Sequence, residues 1–266
     1  MGVRQMTHSD LCRQIIEIGI SLLEADLATD TAGNISARCP DRENILITPS
    51  RRDYRLLGER DLVRVQLSSG RAEGRWKPSS EWRLHAAVYQ VRPDVNAIIH
   101  HHAVWASAVA VARKSIPVLI DEAADIGPIP TAPYAPSASQ ELAEIAAAEL
   151  ARGSNAVLLA NHGAVAVGRD LPEAFQRGMQ VERLAQIYLG ATILGGAHPL
   201  DGAAVARSRE FFATYRATRA EWRGLPRVMP RITGHVALQD LVSYGFRAGV
   251  TFASLLHALI LQRIQR

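Results

Sequence analysis

The stretch Asn96-Ala97-Ile98-Ile99-His100-His101-His102 is a short apolar run ending in three histidines. Its length and β-branched content predict a buried strand over 96–100. Alternate side chains of a strand share a face, so His100 and His102 point together while His101 points away. Two imidazoles at one rigid strand end make half of a metal site, because Zn²⁺ takes three or four such ligands. A third candidate is His162 in Asn161-His162-Gly163, which follows the apolar run 156–160 and precedes a glycine turn. Both groups would emerge at one sheet edge, where open α/β sheets place their ligands.

The elements on either side support such a sheet. Upstream, Leu11, Ile15, Ile16, Ile18, Leu22 and Leu23 recur at helical spacing, and β-like runs follow at 34–38, 45–48 and 62–67. Pro78-Ser79-Ser80 opens a helix whose buried stripe is Leu84, Ala87, Val88 and Val91, stopping near Pro93. Downstream, a small-residue helix is expected over 103–113 and a proline-rich irregular connection over 117–136. A helix over 139–150, strands at 156–160 and 164–167, and a long helix over 171–194 complete the pattern, with one more helix near 203–215. The sum is an α/β fold, a single domain over 1–220 with a mixed central sheet covered by helices. Residues 221–266 read as a separate C-terminal helical tail. Its apolar stretch 249–261 is interrupted by His257, too short for a membrane span and suited to docking on a subunit interface.

Composition narrows the chemistry. The 266 residues are 48% hydrophobic and 21% charged, enough to bury a core. There are 28 arginines but only two lysines, Lys77 and Lys114, so a Schiff-base lysine is a poor expectation. The formal charge is +4, and the arginine runs are broken by acids and apolar residues, which argues against nucleic acid as a partner. Cys12 and Cys39 form no framework, the N-terminus carries no signal-peptide pattern and no segment reads as a membrane span, so a cytoplasmic protein is expected.

A second motif is Lys77-Pro78-Ser79-Ser80-Glu81-Trp82-Arg83-Leu84-His85. Ser79 and Ser80 at a helix start read either as ordinary capping or as part of a phosphate cradle. Two further small-residue turns, Thr31-Ala32-Gly33-Asn34 and Thr48-Pro49-Ser50, favour the cradle. Glu81 and His85 lie one helical turn apart on one face. If that face looks at the metal, Glu81 can be a ligand, a general base, or both in turn, and His85 is better suited to orient its neighbours.

These motifs, taken with Thr31 to Ser36, Tyr89 and a closing Val181-Glu182 helix, resemble the class II aldolase/adducin family over about residues 8 to 195. The resemblance implies an α/β fold, a homotetramer with active sites at subunit interfaces, and a phosphorylated sugar as substrate. It assigns His100, His102 and His162 as zinc ligands, with another divalent metal as the variant. Glu81 becomes the catalytic acid/base that also approaches the metal. Gly33, Asn34, Ser50, Ser79 and Ser80 become holders of the substrate phosphate, and Tyr134 a proton donor reaching a neighbouring subunit's site. The implied reaction is zinc-dependent retro-aldol cleavage of a small phosphorylated ketose, a C–C lyase step through a metal-stabilised enediolate.

Two departures bear on the substrate. Arg51 follows Ser50 where these aldolases commonly have glycine, and Ala138 stands at another usual glycine. Arg51 could close the pocket or pair with a phosphate or carboxylate. The same scaffold supports decarboxylases and 4-epimerases of sugar or sugar-acid phosphates and non-catalytic adducin-like interaction proteins; the histidines favour an enzyme. Barrel hydrolases and cupins, which also use His-x-His, are disfavoured because 103–113 reads as an acid-free helix.

Overall fold

The order of strands in the sheet is β4-β3-β2-β1-β5-β8-β7-β6, and every neighbouring pair is antiparallel except β6 and β7. The strands are β1 (Asn34–Arg38), β2 (Asn44–Ile47), β3 (Val63–Gln66), β4 (Ala72–Glu73), β5 (Ala97–His101), β6 (Thr131–Ala132), β7 (Ala156–Leu159) and β8 (Gly163–Gly168). The helices are α1 (His8–Glu24), α2 (Trp82–Val91), α3 (Val104–Val111), α4 (Gln140–Ala151), α5 (Leu171–Ile193) and α6 (Gly202–Glu221). This computed structural model describes residues 7–221. The tail expected over 221–266, with its apolar helix, lies outside the described residues apart from Glu221.

Alternation along the strands divides the core. Ile98 of β5 and Val165 and Val167 of β8 pack with Leu84 and Val88 of α2 and Leu142 and Leu150 of α4. Ala97 and Ile99 face the other way, against Leu11 and Ile15 of α1 and Ala174 of α5. Ala164 and Ala166 of β8 meet Val109 of α3 and Val181 of α5. Each fully buried leucine or isoleucine contributes about 1.5–3 kcal/mol, and a one-residue slip of β5 would reverse both faces at once, so the register is strongly specified.

Helix ends follow side-chain chemistry. Thr7 and Asp10 form a reciprocal capping box at α1, and Ser139 and Asp170 accept from backbone N–H groups at the starts of α4 and α5. The connection after α3 is less irregular than expected: Ile116 bridges Ile129, and β6 lies along β7. The start of α3 has no local cap. Glu182 on α5 accepts instead from the backbone N–H of Trp105 at 3.0 Å and of Ala106 at 2.8 Å. The helix that begins just beyond the histidines is thereby tied to the long helix beneath the sheet. Glu182→Ala should cost about 0.5–2 kcal/mol in denaturant unfolding, the range for a lost N-terminal cap; an unchanged midpoint would show that the contact contributes nothing.

Candidate metal centre and pocket

β5 carries His100 and His101 to the end of the sheet, with His102 immediately after it. His100 lies on the α2 side and is fully buried. His101 is equally buried but packs toward Gly178 of α5. His162 arrives on the tight turn between β7 and β8 after Asn161, which adopts φ 58°. One ligand atom from each of His100, His102, His162 and Glu81 lies within 4.8 Å of the others. The three ring centroids are 4.6, 4.8 and 4.9 Å apart, with planes crossing at 70–78°. The imidazoles thus stand T-shaped to one another around one centre.

Close backbone approach makes this convergence feasible. A Cβ on Gly163 would sit 2.5 Å from the His101 carbonyl oxygen and 2.7 Å from Cδ2 of His102. One on Gly33, at φ +80°, would sit 2.7 Å from the His100 carbonyl oxygen. Neither clash could be relieved without moving the histidine strand.

The start of α2 differs from a simple capping reading. Ser79 accepts from the Glu81 N–H at 3.3 Å, ahead of the helix, and Glu81 itself is the N-cap residue but makes no side-chain cap. Its carboxylate turns to the histidines: Oε2 is 3.1 Å from His100 Nε2 and accepts from Asn34 Nδ2 at 2.9 Å, and Oε1 is 3.3 Å from His162 Nε2. His85, buried one turn on, faces Asn34 at 2.5 Å rather than the cluster.

The electrostatics suit a cation. Burial opposes ionisation of Glu81, but the His100 charge and hydrogen bond, His162 and Asn34 outweigh it and hold the carboxyl well below its usual range. Burial first, then the His100 charge, pushes His162 and His102 down to about 4, so both are neutral, as metal ligands must be. His100 is also penalised by burial, yet its attraction to Glu81 and its hydrogen bonds raise it. His100 Nδ1 donates to the Ala164 carbonyl at 2.9 Å, which turns Nε2 toward the cluster. Buried Glu81 Oε1 and His162 Nδ1 have no hydrogen-bond partner among the described residues. Three imidazoles and a carboxylate with an unsatisfied oxygen fit a divalent cation.

Beside the cluster opens a pocket of about 220 Å³. Gly33, Asn34, Ser50, Ser79 and Ser80 line it together with Glu81, His102 and His162. Arg51 lines it too, in a left-handed backbone conformation at φ 57°. Ala138 likewise has φ 62°, so both departures from glycine fall where glycine is the least strained residue. Ser137 also lines the pocket and was not anticipated, although it lies in the connection that drew attention to Tyr134. Tyr134 is 56% exposed and does not line this pocket.

The family model for the class II aldolase and adducin N-terminal domain matches residues 13–189. The chain belongs to the class II aldolase/adducin family. Among relatives, it is 39% identical over 213 residues to L-fuculose phosphate aldolase of Escherichia coli K12, covering 79% of this chain and 97% of that one. It is 35% identical to the 5-methylthioribulose-1-phosphate/5-deoxyribulose-1-phosphate aldolase of Rhodospirillum rubrum, covering 77% of this chain and 89% of the relative. A solved L-fuculose 1-phosphate aldolase superposes with a TM-score of 0.74 at 35% identity, over 79% of this chain and 100% of the other. In each of these matches the alignment runs over 89–100% of the aldolase chain and 77–79% of this one.

The buried imidazoles make acid stability a direct readout. Burial lowers both His85 and His101 from 6.5 to about 3. Between those values the unfolded chain binds protons that the folded chain refuses, so stability rises with pH there and falls on acidification from about 6.5 downward. The two rings together should contribute a slope of about 3 kcal/mol per pH unit. Urea unfolding between pH 7 and 5 tests this, and a flat profile would show that the rings are not buried as neutral groups.

Proposed function

We propose that this protein is a metal-dependent aldolase that cleaves a ketose 1-phosphate by retro-aldol chemistry. The observation that carries the reading is the convergence of His100, His102, His162 and Glu81 beside a pocket walled by small polar turns. The relatives act, by name, on fuculose and deoxyribulose phosphates, which are phosphorylated ketoses. Three imidazoles with one carboxylate suit Zn²⁺, the cation we assign here. When bound, it supplies Lewis-acid polarisation of the substrate's carbonyl and hydroxyl oxygens.

The chain's own residues supply the rest. Ser50, Ser79 and Ser80 offer hydroxyls, and the Gly33–Asn34 turn a close backbone approach, so a phosphate held there fixes the reacting carbons near the histidines. Cleavage of the C3–C4 bond removes the C4 hydroxyl proton and returns a proton to C3. Glu81, ionised at rest and open to the pocket, is the group placed to receive the proton that leaves the C4 hydroxyl and to deliver it to C3. Tyr134, exposed and away from its own chain's pocket, is suited to serve a second copy's site at the aldehyde oxygen. That reading carries with it a homotetramer with active sites at subunit interfaces. Two buried free cysteines fit a reducing cytoplasm, and among the described residues no helix is long and apolar enough to cross a membrane.

Metal analysis of the purified protein should find about one divalent ion per chain. His100→Ala should lose both the ion and turnover of ketose 1-phosphates, and a variant that kept full activity would remove the site assignment. Glu81→Gln should retain turnover at only about one-hundredth of the original or less. Arg51, for which the described residues supply no ion pair, should give opposed results. Arg51→Gly is expected to raise stability by about 1 kcal/mol through relief of the left-handed backbone. It should also raise KM for the phosphorylated substrate, and an unchanged KM would take Arg51 out of substrate recognition.

A further inference from the structure

The carboxylate of Glu81 stands at the end of a buried file of hydrogen bonds. Tyr89 Oη lies 2.9 Å from Ser36 Oγ, Ser36 Oγ 2.6 Å from His85 Nδ1, and His85 Nε2 2.5 Å from Asn34 Oδ1. Asn34 Nδ2 then donates to Glu81 Oε2 at 2.9 Å. Ser36 and His85 are fully buried, and Tyr89, Asn34 and Glu81 nearly so.

Counting hydrogens fixes the direction of the whole file. An ionised carboxylate can only accept, so the amide NH₂ of Asn34 must face Glu81. The amide oxygen therefore faces His85 and can only accept, which places the ring hydrogen of His85 on Nε2. In the neutral ring Nδ1 is then bare and accepts from the Ser36 hydroxyl, whose oxygen accepts in turn from Tyr89. Each link of the file then pairs one donor with one acceptor. Turning any member round would set two donors or two acceptors against each other away from water. At the far end Arg38 holds the Tyr89 backbone carbonyl through Nη2 at 2.8 Å and lies over its ring at 4.7 Å.

The two oxygens of Glu81 are consequently unequal. Oε2 accepts a hydrogen bond from Asn34 and lies 3.1 Å from His100 Nε2, whereas Oε1 has no hydrogen-bond partner among the described residues and lies 3.3 Å from His162 Nε2. We propose that His85 is a positioning residue of the reaction: its Nε2–H locks the Asn34 amide, which anchors Oε2 and reserves Oε1 for proton exchange with the substrate. The proposal rests on the reading of Glu81 as the proton carrier.

Nitrogen-15 NMR of the ring in the resting holoprotein, assigned against His85→Gln, should show His85 protonated at Nε2 and bare at Nδ1 at neutral pH. A ring protonated at Nδ1 would overturn the proposal, and this readout needs no substrate. In kinetics, His85→Gln keeps an amide donor for Asn34 and should hold kcat within about threefold, whereas His85→Leu should lose about 10–100-fold in kcat with KM nearly unchanged. Equal losses in the two variants, or a loss confined to KM, would overturn it. Should His85→Leu fail to fold, the tautomer and the glutamine variant decide. A wild-type protein that cleaves no ketose phosphate would instead sink the aldolase reading, and the reaction role of His85 with it.

Discussion

The parity of a single strand governs this molecule. On β5 the side chains at 98 and 100 face one way and those at 97, 99 and 101 the other, the alternation of a pleated backbone, and His102 just beyond the strand joins His100. Isoleucines on both faces anchor the strand within two apolar layers, and that burial holds its end rigid. The histidines inherit this rigidity. Two of them meet a third ring and a carboxylate, and the remaining one becomes part of the packing against α5.

Glu81 shows how the site overrides local preference. A residue at the head of a helix ordinarily uses its side chain to satisfy free backbone N–H groups. Here the carboxylate leaves the helix end and enters a nest of imidazoles, where opposite charge and the Asn34 amide outweigh its burial. The helix starts later than its serines alone would imply, and that displacement is the local trace of function.

Much of this was legible in the sequence. The α/β class, the mixed sheet and nearly every long element follow from periodicity, and the shared face of His100 and His102 follows from strand alternation alone. The two-residue strands β4 and β6 were not legible, because so short a segment has no period to detect. Neither was Glu182 as the cap of α3, since the carboxylate and its backbone partners lie more than 70 residues apart. Ser36 and Tyr89 belong to motifs that the sequence singles out, yet their place in one file with His85 is a fact of three-dimensional proximity. Ser137 was passed over for its neighbour Tyr134, because no pattern within an irregular connection says which side chain turns inward.

The sheet order also has a temporal meaning. β5 lies between β1 and β8, each some 60 residues away along the chain, and its histidines meet His162 only through the β5–β8 pairing. Closing such loops costs entropy before any contact rewards it, so the centre of the sheet forms late relative to the local helices. A chain leaving the ribosome cannot assemble its four donors until β8 has emerged. The candidate donor set is therefore complete only once β8 has paired with β5.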